Sequence, residues 1–389
     1  MTEKLFDADS YLSEFQCKVI SLYSESNKIC VETDRTAFFP EGGGQTSDRG
    51  WLENCYVENV QIIDGHIIHF VENSEENVKT LQKEGQICGK IDMKKRFSDM
   101  QQHTGEHIFS GIVNSLYGYN NVGFHLGSEI VTLDFDGVLN EDDICKVENL
   151  VNKAVWDNLE IKVLFPTDEE LKEIKYRSKI EIEGQVRIVE IPGVDICACC
   201  APHVKRTGEI GIIEVVNFEK YKGGTRVSIL CGERALQDIR HKLNENRKVS
   251  VITKAKQSET AEAVERLKGE NEKLKYEING LNRQLLMGKA DSVKEENRII
   301  IFDKMLEGKL LSDFTISLMP KARKFIASFC GENASYRYCI ASNNVDLRPL
   351  CKELNAKFSG RGGGKPEIVQ GSLTGNEEEI ISFLDSFAL

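Results

Sequence analysis

The sequence lacks the features of membrane-spanning and exported proteins. No apolar run approaches the roughly eighteen consecutive residues that indicate a membrane-spanning helix. The N-terminus, Met-Thr-Glu-Lys-Leu-Phe-Asp, has no basic segment followed by an apolar one, as an export signal would. The twelve cysteines are therefore expected to be reduced thiols of a cytoplasmic protein with no membrane partner.

The sequence also lacks an excess of positive charge. Its 50 Lys and Arg residues face 62 Asp and Glu residues, a formal net charge of −12, which argues against a general nucleic-acid coat protein. A nucleic-acid partner that binds through local basic patches stays compatible with this charge. The 389 residues are enough for two or three domains, each with its own core.

Histidine is scarce, with seven residues in the chain, yet His103 and His107 are only four residues apart. The apolar residues after them recur at helical spacing up to Gly118, and Ser98 with Gln101 predicts a capping box at the start of the helix. Residues four apart project from one face of a helix, so both imidazoles can reach one metal ion. The alternative, and the usual one for this spacing alone, is a pair of partly buried helix histidines.

A second pair of ligand residues, Cys199 and His203, has the same spacing later in the chain. Three imidazoles and one thiolate form a donor set that suits zinc. Two matched pairs among the scarcer ligand residues therefore predict one zinc site made by His103, His107, Cys199 and His203.

The order of strand and helix patterns predicts an α+β protein in four parts. Residues 1–95 contain short strand patterns with tight turns, which indicate a β-barrel-like subdomain. Residues 96–240 alternate helix and strand patterns and form the zinc-bearing α+β core. Residues 241–295 are a helical coiled-coil spacer, and residues 296–389 a C-terminal α/β domain whose first long helix is expected near residues 313–330.

The spacer has the heptad pattern of a coiled coil. Its seam residues alternate three and four apart: Val264, Leu267, Asn271, Leu274, Ile278, Leu281 and Leu285. Asn271 on this seam would select the register and the number of partners. The partner helix can belong to a second copy or to the same chain, so a homodimer through the coiled coil or the C-terminal domain is one of two expectations.

Two glycine-rich stretches can approach a ligand closely. Residues 36–50 contain three adjacent glycines followed by Gln45. Residues 359–366 are expected to form a loop that contains Arg361 and Lys365, whose charges together with backbone amides suit a phosphate group. The alternative for both stretches is a solvated turn.

Together these segments resemble the alanyl-tRNA editing proteins of the AlaX family, in the long type that carries a DHH-associated C-terminal domain. This family is related to the editing and C-terminal modules of alanyl-tRNA synthetase. The resemblance covers nearly the whole chain and rests on five motifs in order, at residues 39–50, 103–107, 199–203, 207–211 and 359–371. The second ligand motif departs from the family's usual Cys-Gly-Gly-Thr-His, with Cys200 and Ala201 in place of the glycines. This departure makes Cys197 and Cys200 possible alternative ligands.

The resemblance implies zinc-dependent hydrolysis of the ester in mischarged tRNA(Ala), with seryl-tRNA(Ala) as the expected substrate and glycyl-tRNA(Ala) as a second candidate. Four protein ligands make a closed site, so either one is displaced by substrate or zinc mainly organises the pocket. No synthetase catalytic domain precedes the matching segments, so neither tRNA charging nor ATP use is expected. Arg361 and Lys365 are the expected tRNA contacts.

Three residues are candidates for catalysis. Gln45 can position a water molecule, and Glu106 fits the general base of an H-x-x-E-H pattern. His125 lies near the ligand segments, as does Asp195, and a structural or merely exposed role is the alternative for both. The same H-x-x-E-H pattern allows a zinc protease as a rival function, and a non-catalytic, zinc-stabilised RNA-binding protein is a second rival.

Overall fold

A computed structural model describes residues 2–25, 27–178 and 185–388. The chain divides into two compact units, Met1–Arg247 and Lys248–Leu389. Both units combine sheets with helices, so the α+β class is confirmed. The unit boundary lies inside the predicted spacer, and the division into four parts stays a prediction.

The N-terminal part of the first unit is a seven-stranded antiparallel sheet with two short helices. Its strands are β2 (Glu14–Cys17), β3 (Val19–Glu25), β4 (Lys28–Thr33), β6 (Gly50–Leu52), β7 (Cys55–Ile63), β8 (His66–Glu72) and β9 (Ile87–Ile91). Beside them lie the parallel pair β1 (Glu3–Lys4) and β5 (Arg35–Thr36) and the helices α1 (Leu5–Ala8) and α2 (Glu75–Leu81). In the spatial order β2-β9-β6-β7-β8-β4-β3, the edge strands β2 and β3 do not pair within the described residues. The barrel-like subdomain is thus an open sheet.

The rest of the first unit surrounds one long helix. In chain order the elements are α3 (Met93–Tyr117), β10 (Asn121–Leu126), β11 (Val131–Phe135), α4 (Glu141–Trp156), β12 (Lys162–Leu164), α5 (Asp168–Glu173), β13 (Ile188–Ile191), β14 (Asp195–Ala198), β15 (Ile213–Tyr221), β16 (Gly224–Cys231) and α6 (Gly232–Thr253). A four-stranded sheet has the order β10-β11-β16-β15, and a three-stranded sheet the order β12-β13-β14. A short 3-10 helix, Thr207–Ile210, follows the second ligand pair.

Helix α3 is the central element of this unit. It begins after Asp92, whose carboxylate accepts hydrogen bonds from the backbone N–H groups of Lys94 and Lys95 at 3.1 and 3.2 Å. It ends at Gly118, as predicted, with the left-handed φ of 71° that favours glycine. The predicted capping box at Ser98 is wrong, because this residue lies in the interior of the helix.

Two hydrophobic cores meet in the first unit. One lies around the seven-stranded sheet and includes Phe38 and Phe39, and the other surrounds α3 and includes Ile108 and Phe109. Cys199 packs against both cores. The predicted metal site therefore lies where the two cores join.

The second unit is a five-stranded sheet with helices. Its elements are α7 (Thr260–Ser292), β17 (Glu296–Phe302), α8 (Lys309–Leu318), β18 (Ala322–Glu332), β19 (Ser335–Ala341), α9 (Arg348–Lys357), β20 (Arg361–Lys365), β21 (Ile368–Thr374) and α10 (Glu377–Ser386). The strand order is β17-β18-β19-β21-β20, and only the β17–β18 pair is parallel in this sheet.

Two local predictions in this unit are wrong. The helix expected near residues 313–330 ends at Leu318, and the following residues form β18. The second glycine-rich stretch is not a loop, because Arg361–Lys365 forms the edge strand β20.

The predicted spacer contains the second half of α6 and all of α7, which are separated at residues 254–259. The apolar seam residues of α7 are about half exposed, from 47% at Leu267 to 65% at Leu281. Among the described residues, none of the helices is both long enough and apolar enough to cross a bilayer.

Candidate metal centre

The structure brings the four predicted metal ligands together. One ligand atom from each of His103, His107, Cys199 and His203 lies within 4.8 Å of the other three. The Cys199 sulfur is 3.5 Å from His103 Nε2 and 3.4 Å from His203 Nε2. The three histidines are buried, whereas Cys199 is only partly buried. This convergence comes from one turn of α3 and from the segment after β14.

Each histidine has its second ring nitrogen held by another side chain. These Nδ1 contacts are with Gln45 Oε1 for His103 (2.7 Å), Asp195 Oδ2 for His107 (3.0 Å) and Thr104 Oγ1 for His203 (3.0 Å). Amide and carboxylate oxygens only accept hydrogen bonds, so Nδ1 of His103 and of His107 carries the proton. Nε2 of each ring is then the nitrogen available to a metal ion once any proton on it has been displaced, which is the usual arrangement of metal-binding histidines.

The charges around Cys199 favour the donor form that zinc requires. Burial alone would raise the pKa of its thiol, but the imidazole of His103 and hydrogen bonds from His103 and His107 hold the pKa well below its usual range. Burial lowers the pKa of His203 to about 3 despite the neighbouring thiolate, so this imidazole is neutral. A thiolate and neutral imidazoles are the species that bind zinc, and the residues present therefore fit this ion.

Two charged side chains, Asp195 and Arg177, lie on the side of His107 that faces away from the other three ligands. Burial opposes the ionisation of Asp195, but contacts with His107 and Arg177 bring the pKa of its carboxyl below the usual value. Burial also opposes a charge on His107, yet Cys197 and Asp195 raise the pKa of this imidazole well above its usual value. A metal ion at Nε2 would replace the proton that His107 otherwise carries there.

The first glycine-rich stretch forms a tight turn next to His103. Gly42 and Gln45 exchange backbone hydrogen bonds of 3.1 and 3.0 Å, and Gly43 and Gly44 between them have φ values of 61° and 81°. These left-handed conformations favour glycine. A Cβ on Gly44 would also lie 2.5 Å from the ring of Phe124. Gly44 therefore serves a close approach to Phe124, within a turn in which Gly43 and Gly44 are exposed.

The two polar atoms of the Gln45 side chain have different surroundings. Its side-chain oxygen is bound to His103, and its side-chain nitrogen is buried with no hydrogen-bond partner among the described residues. Buried donors of this kind normally have a partner. The free nitrogen thus indicates a place beside the metal centre for a ligand atom or a water molecule.

A buried ion pair fixes both ends of the glycine-rich stretch, a feature that the sequence patterns did not reveal. Arg96 on α3 donates to Asp48, and Asp48 accepts from the backbone N–H of Phe39. The same guanidinium donates to the backbone oxygens of Ala37 and Ser10. The partners are distant in sequence, so only the folded structure shows that Arg96 is a structural residue of the site.

Glu106 lies beside the metal ligands. Its Oε1 accepts hydrogen bonds from Ser110 Oγ at 2.7 Å and Asn121 Nδ2 at 2.6 Å, and its Oε2 is 3.8 Å from His107 Nε2. The carboxylate is fully buried, so these contacts fix its direction.

The structure does not bring the other predicted residues into this cluster. His125 is exposed on β10, next to Phe124, whose ring lies 4.9 Å from that of His103. Arg361 and Lys365 are exposed on β20 in the second unit. The roles predicted for all three stay predictions.

The two additional cysteines of the ligand loop have different surroundings. Cys197 is buried and forms a second group of potential ligands with His107 and Asp195. Cys200 is exposed, and its sulfur would lie 3.9 Å from a Cβ on Gly43. Of the three thiols, Cys199 is the one that belongs to the four-residue cluster.

Comparisons with known proteins agree with this geometry. Residues 186–228 match the family described as the threonyl and alanyl tRNA synthetase second additional domain. The chain is 30% identical to the alanyl-tRNA editing protein AlaX-L of Pyrococcus horikoshii, over 98% of this chain and 96% of that protein. It is 34% identical to AlaX-M of Saccharolobus solfataricus, over 58% of this chain and 98% of that protein. It is 26% identical to the alanine–tRNA ligase of Methanobrevibacter smithii and spans 44% of that longer protein.

Proposed function

The chain belongs to the alanyl-tRNA editing proteins, which are aminoacyl-tRNA deacylases, and we propose that it hydrolyses seryl-tRNA(Ala) and, as a second substrate, glycyl-tRNA(Ala). The observation that carries this proposal is the cluster of His103, His107, Cys199 and His203 beside the glycine-rich stretch. We further propose that the enzyme acts in the cytoplasm, which agrees with its twelve free thiols.

A separate hydrolytic site has a physical reason. A synthetase pocket for a small apolar side chain discriminates weakly against an analogue that is one methyl group smaller or one hydroxyl larger. Glycine and serine differ from alanine in these two ways. A second site that removes the wrong amino acid from tRNA(Ala) supplies the discrimination that binding alone cannot reach.

The proposed metal is zinc, held by the four-residue cluster. The chemistry supplied by a bound zinc ion would be polarisation of the ester carbonyl or of a water molecule, or orientation of the substrate's amino group. Cys199 is the partly exposed ligand, so the substrate would approach from its side. The three buried histidines, each held at Nδ1, keep the arrangement rigid during this approach.

Gln45 and Glu106 are the proposed catalytic residues. The side-chain nitrogen of Gln45 is a buried donor without a partner among the described residues, and it would donate to the attacking water or to the ester oxygen. The contact of its oxygen with His103 fixes the direction of this donor. Glu106, held by Ser110 and Asn121, would accept a proton from the attacking water.

The second unit is proposed to bind tRNA. Arg361 and Lys365 lie at the two ends of the exposed edge strand β20, four residues apart and so on the same face. In the sheet, Arg361 is opposite Ser372, which is opposite Arg337 on the next strand. This row extends the positive surface across three strands. Between them, Gly363 has open space at its Cβ position and would leave the exposed backbone of β20 accessible to a phosphate group.

We also propose that the uncovered seam of α7 pairs with that of a second copy. The seam follows a heptad spacing, and its six apolar residues are about half exposed in the single chain. A homodimer would cover them.

The experiment that tests the function is the release of serine from purified seryl-tRNA(Ala), with alanyl-tRNA(Ala) as the control substrate. The wild type should release serine and spare alanine, and Cys199→Ala should abolish this release while staying folded. Cys145→Ala is the matched control, because Cys145 is an exposed cysteine on α4 outside the cluster. It should retain full activity.

Three results would contradict the proposal. A folded, zinc-loaded wild type that hydrolyses neither seryl-tRNA(Ala) nor glycyl-tRNA(Ala) would favour the non-catalytic RNA-binding protein. Equal hydrolysis of alanyl-tRNA(Ala) would exclude an editing role. Cleavage of a peptide substrate, with Glu106→Gln inactive, would instead support the zinc protease.

A further inference from the structure

A buried pair of charged residues lies behind His107. Asp195 is at the start of β14, and its side chain is 2% exposed. Its Oδ2 is the acceptor for His107 Nδ1 at 3.0 Å. Arg177 binds the same carboxylate with two nitrogens, Nε to Oδ1 at 2.7 Å and Nη2 to Oδ2 at 2.9 Å. Both oxygens of Asp195 are therefore fixed, and one of them directs the imidazole.

The backbone of Arg177 is attached to the strand that leads to Cys199. Its N–H donates to the carbonyl oxygen of Ile196 at 2.8 Å, and its own carbonyl oxygen accepts from the N–H of Ala198 at 2.9 Å. Arg177 thus lies beside β14 like a residue of one more strand. One segment of the chain supports the backbone before Cys199 and also orients His107 on α3.

Gly111 allows helix α3 and the start of strand β14 to lie close together. It lies one turn after His107 on α3, and a Cβ at this position would be 2.5 Å from the carbonyl oxygen of Val194 and 2.7 Å from the Cβ of Asp195. Real Cβ atoms essentially never come this close to such atoms. Any larger residue would push β14 away from α3, and with it the carboxylate away from His107.

We propose that Arg177 is a positioning residue that acts through Asp195 to set the direction of the His107 imidazole, and thereby the metal affinity of the site. This inference rests on the proposed function only in taking the cluster as a metal site. The two-pronged contact of a guanidinium holds a carboxylate in one plane, which a lysine cannot do. Loss of such outer contacts typically weakens metal binding about 10- to 100-fold.

The test uses full-length protein reconstituted with Co²⁺, whose absorption bands report the geometry of the ligands. Metal affinity is measured by competition with a chromophoric chelator. Arg177→Met should weaken Co²⁺ and Zn²⁺ binding about 10- to 100-fold and shift the Co²⁺ bands. Arg226→Met is the matched control, because Arg226 binds Asp134 in the same two-pronged way, at 2.6 and 2.7 Å, elsewhere in the first unit. It should leave the affinity and the spectrum unchanged.

Two further variants separate positioning from general destabilisation. In an Asp195→Asn background, Arg177→Met should add little to the loss of affinity, because both changes remove one pathway. Gly111→Ala keeps every polar group and should still shift the Co²⁺ bands. If Arg177→Met does not fold, Arg177→Lys takes its place and should show a weaker loss in the same direction, since the charge is kept and the two-pronged contact is not.

Wild-type affinity and an unchanged spectrum in the folded Arg177 variant would overturn the inference. A loss that adds fully to that of Asp195→Asn would also overturn it. None of these measurements uses tRNA, so a failure of the proposed deacylation would leave this result intact, and the reverse also holds.

Discussion

At the scale of single residues, the site depends on histidines whose two nitrogens have different partners. The sequence spacing was enough to predict His103, His107, Cys199 and His203, because two ligand residues that are four apart can reach the same metal ion. The supporting residues Gln45, Thr104 and Asp195 have no such pattern. Their partners are 58, 99 and 88 residues away, so only the fold brings them together.

His69 in the seven-stranded sheet also has a different partner at each ring nitrogen, here without a metal site among the described residues. Its Nδ1 donates to the carbonyl oxygen of Val31 at 2.9 Å, and its Nε2 accepts from the hydroxyl of Thr36 at 2.8 Å. The ring is fully buried, and this burial lowers its pKa to about 4. The folded protein therefore holds His69 as a neutral imidazole.

This lowered pKa predicts a loss of stability in acid. The pKa of an unfolded histidine is about 6.5. Between about pH 6.5 and pH 4 the unfolded state binds one more proton than the folded state, so the free energy of unfolding falls as the pH falls. The stability that depends on neutral His69 is fully present above pH 6.5, and about 3 kcal/mol of it should be lost by pH 4.

Urea unfolding of wild type and His69→Gln between pH 7.5 and pH 4.5 measures this effect. The difference between the two curves isolates His69 from other titrating groups. His241→Gln serves as the control, because His241 is an exposed histidine on α6. If the stability of His69→Gln depends on pH as that of the wild type does, the buried neutral histidine is not the cause.

At the scale of secondary-structure elements, the end of α3 was predicted correctly and its start was not. The difference is that a local signal marks the end. Gly118 ends α3 as expected, because a left-handed residue is a local property. The start of α3 is set instead by Asp92, which follows β9 directly. Arg96 lies in the helical turns of α3 that precede the predicted start at Ser98. It is held by Asp48, a contact that no local pattern predicts.

Strand β18 was predicted as a helix for a different reason. Residues 325–329 are all buried, because β18 lies between two neighbouring strands and both faces of the sheet are covered. A continuous apolar run has neither the period of a strand with one exposed face nor that of an amphipathic helix. Its assignment required the tertiary structure.

Two glycines of the edge strand β20 have very different surroundings. A Cβ on Gly362 would lie 2.4 Å from the hydroxyl of Tyr338 and 2.5 Å from the carbonyl oxygen of Gln370. A Cβ on Gly363 would have no atom within 4 Å. Tyr338 cannot yield easily, since its hydroxyl also donates to Asn355 at 2.8 Å.

This contrast predicts opposite results for two neighbouring alanine variants. Gly362→Ala should lower the free energy of unfolding of the second unit by about 1–3 kcal/mol, because the added carbon overpacks the sheet. Gly363→Ala should change it by less than about 0.5 kcal/mol. Thermal unfolding of both variants gives the comparison. Equal effects would show that β20 does not pack against Tyr338 as described.

At the scale of the whole molecule, the proposed division of labour is chemistry in the first unit and tRNA binding in the second. It predicts that Arg361→Ala combined with Lys365→Ala weakens tRNA(Ala) binding and raises KM, with kcat nearly unchanged. Loss of two phosphate contacts should also reduce the slope of log affinity against log salt by about 2. Binding and deacylation are measured at several salt concentrations.

The control for this variant removes the same charge elsewhere in the second unit. Lys304→Ala combined with Lys352→Ala takes away two exposed cations that are not on β20. It should leave the salt slope close to that of the wild type. If both double variants weaken binding equally, the effect is one of net charge, and β20 has no special role in tRNA recognition.

The α7 seam gives the last prediction at this scale. Leu274 is 56% exposed and Leu281 is 65% exposed. Leu286, near the end of the same helix, is instead buried in a hydrophobic core of the second unit. Two copies that pair through the seam would cover the exposed leucines and place Asn271 of each helix opposite the other.

Sedimentation should therefore find a dimer, and Leu274→Lys combined with Leu281→Lys should convert it to a monomer that is still folded. Tyr276→Lys, at a residue 81% exposed and off the seam, should leave the dimer intact. A monomeric wild type at every concentration would show instead that the seam does not pair two copies.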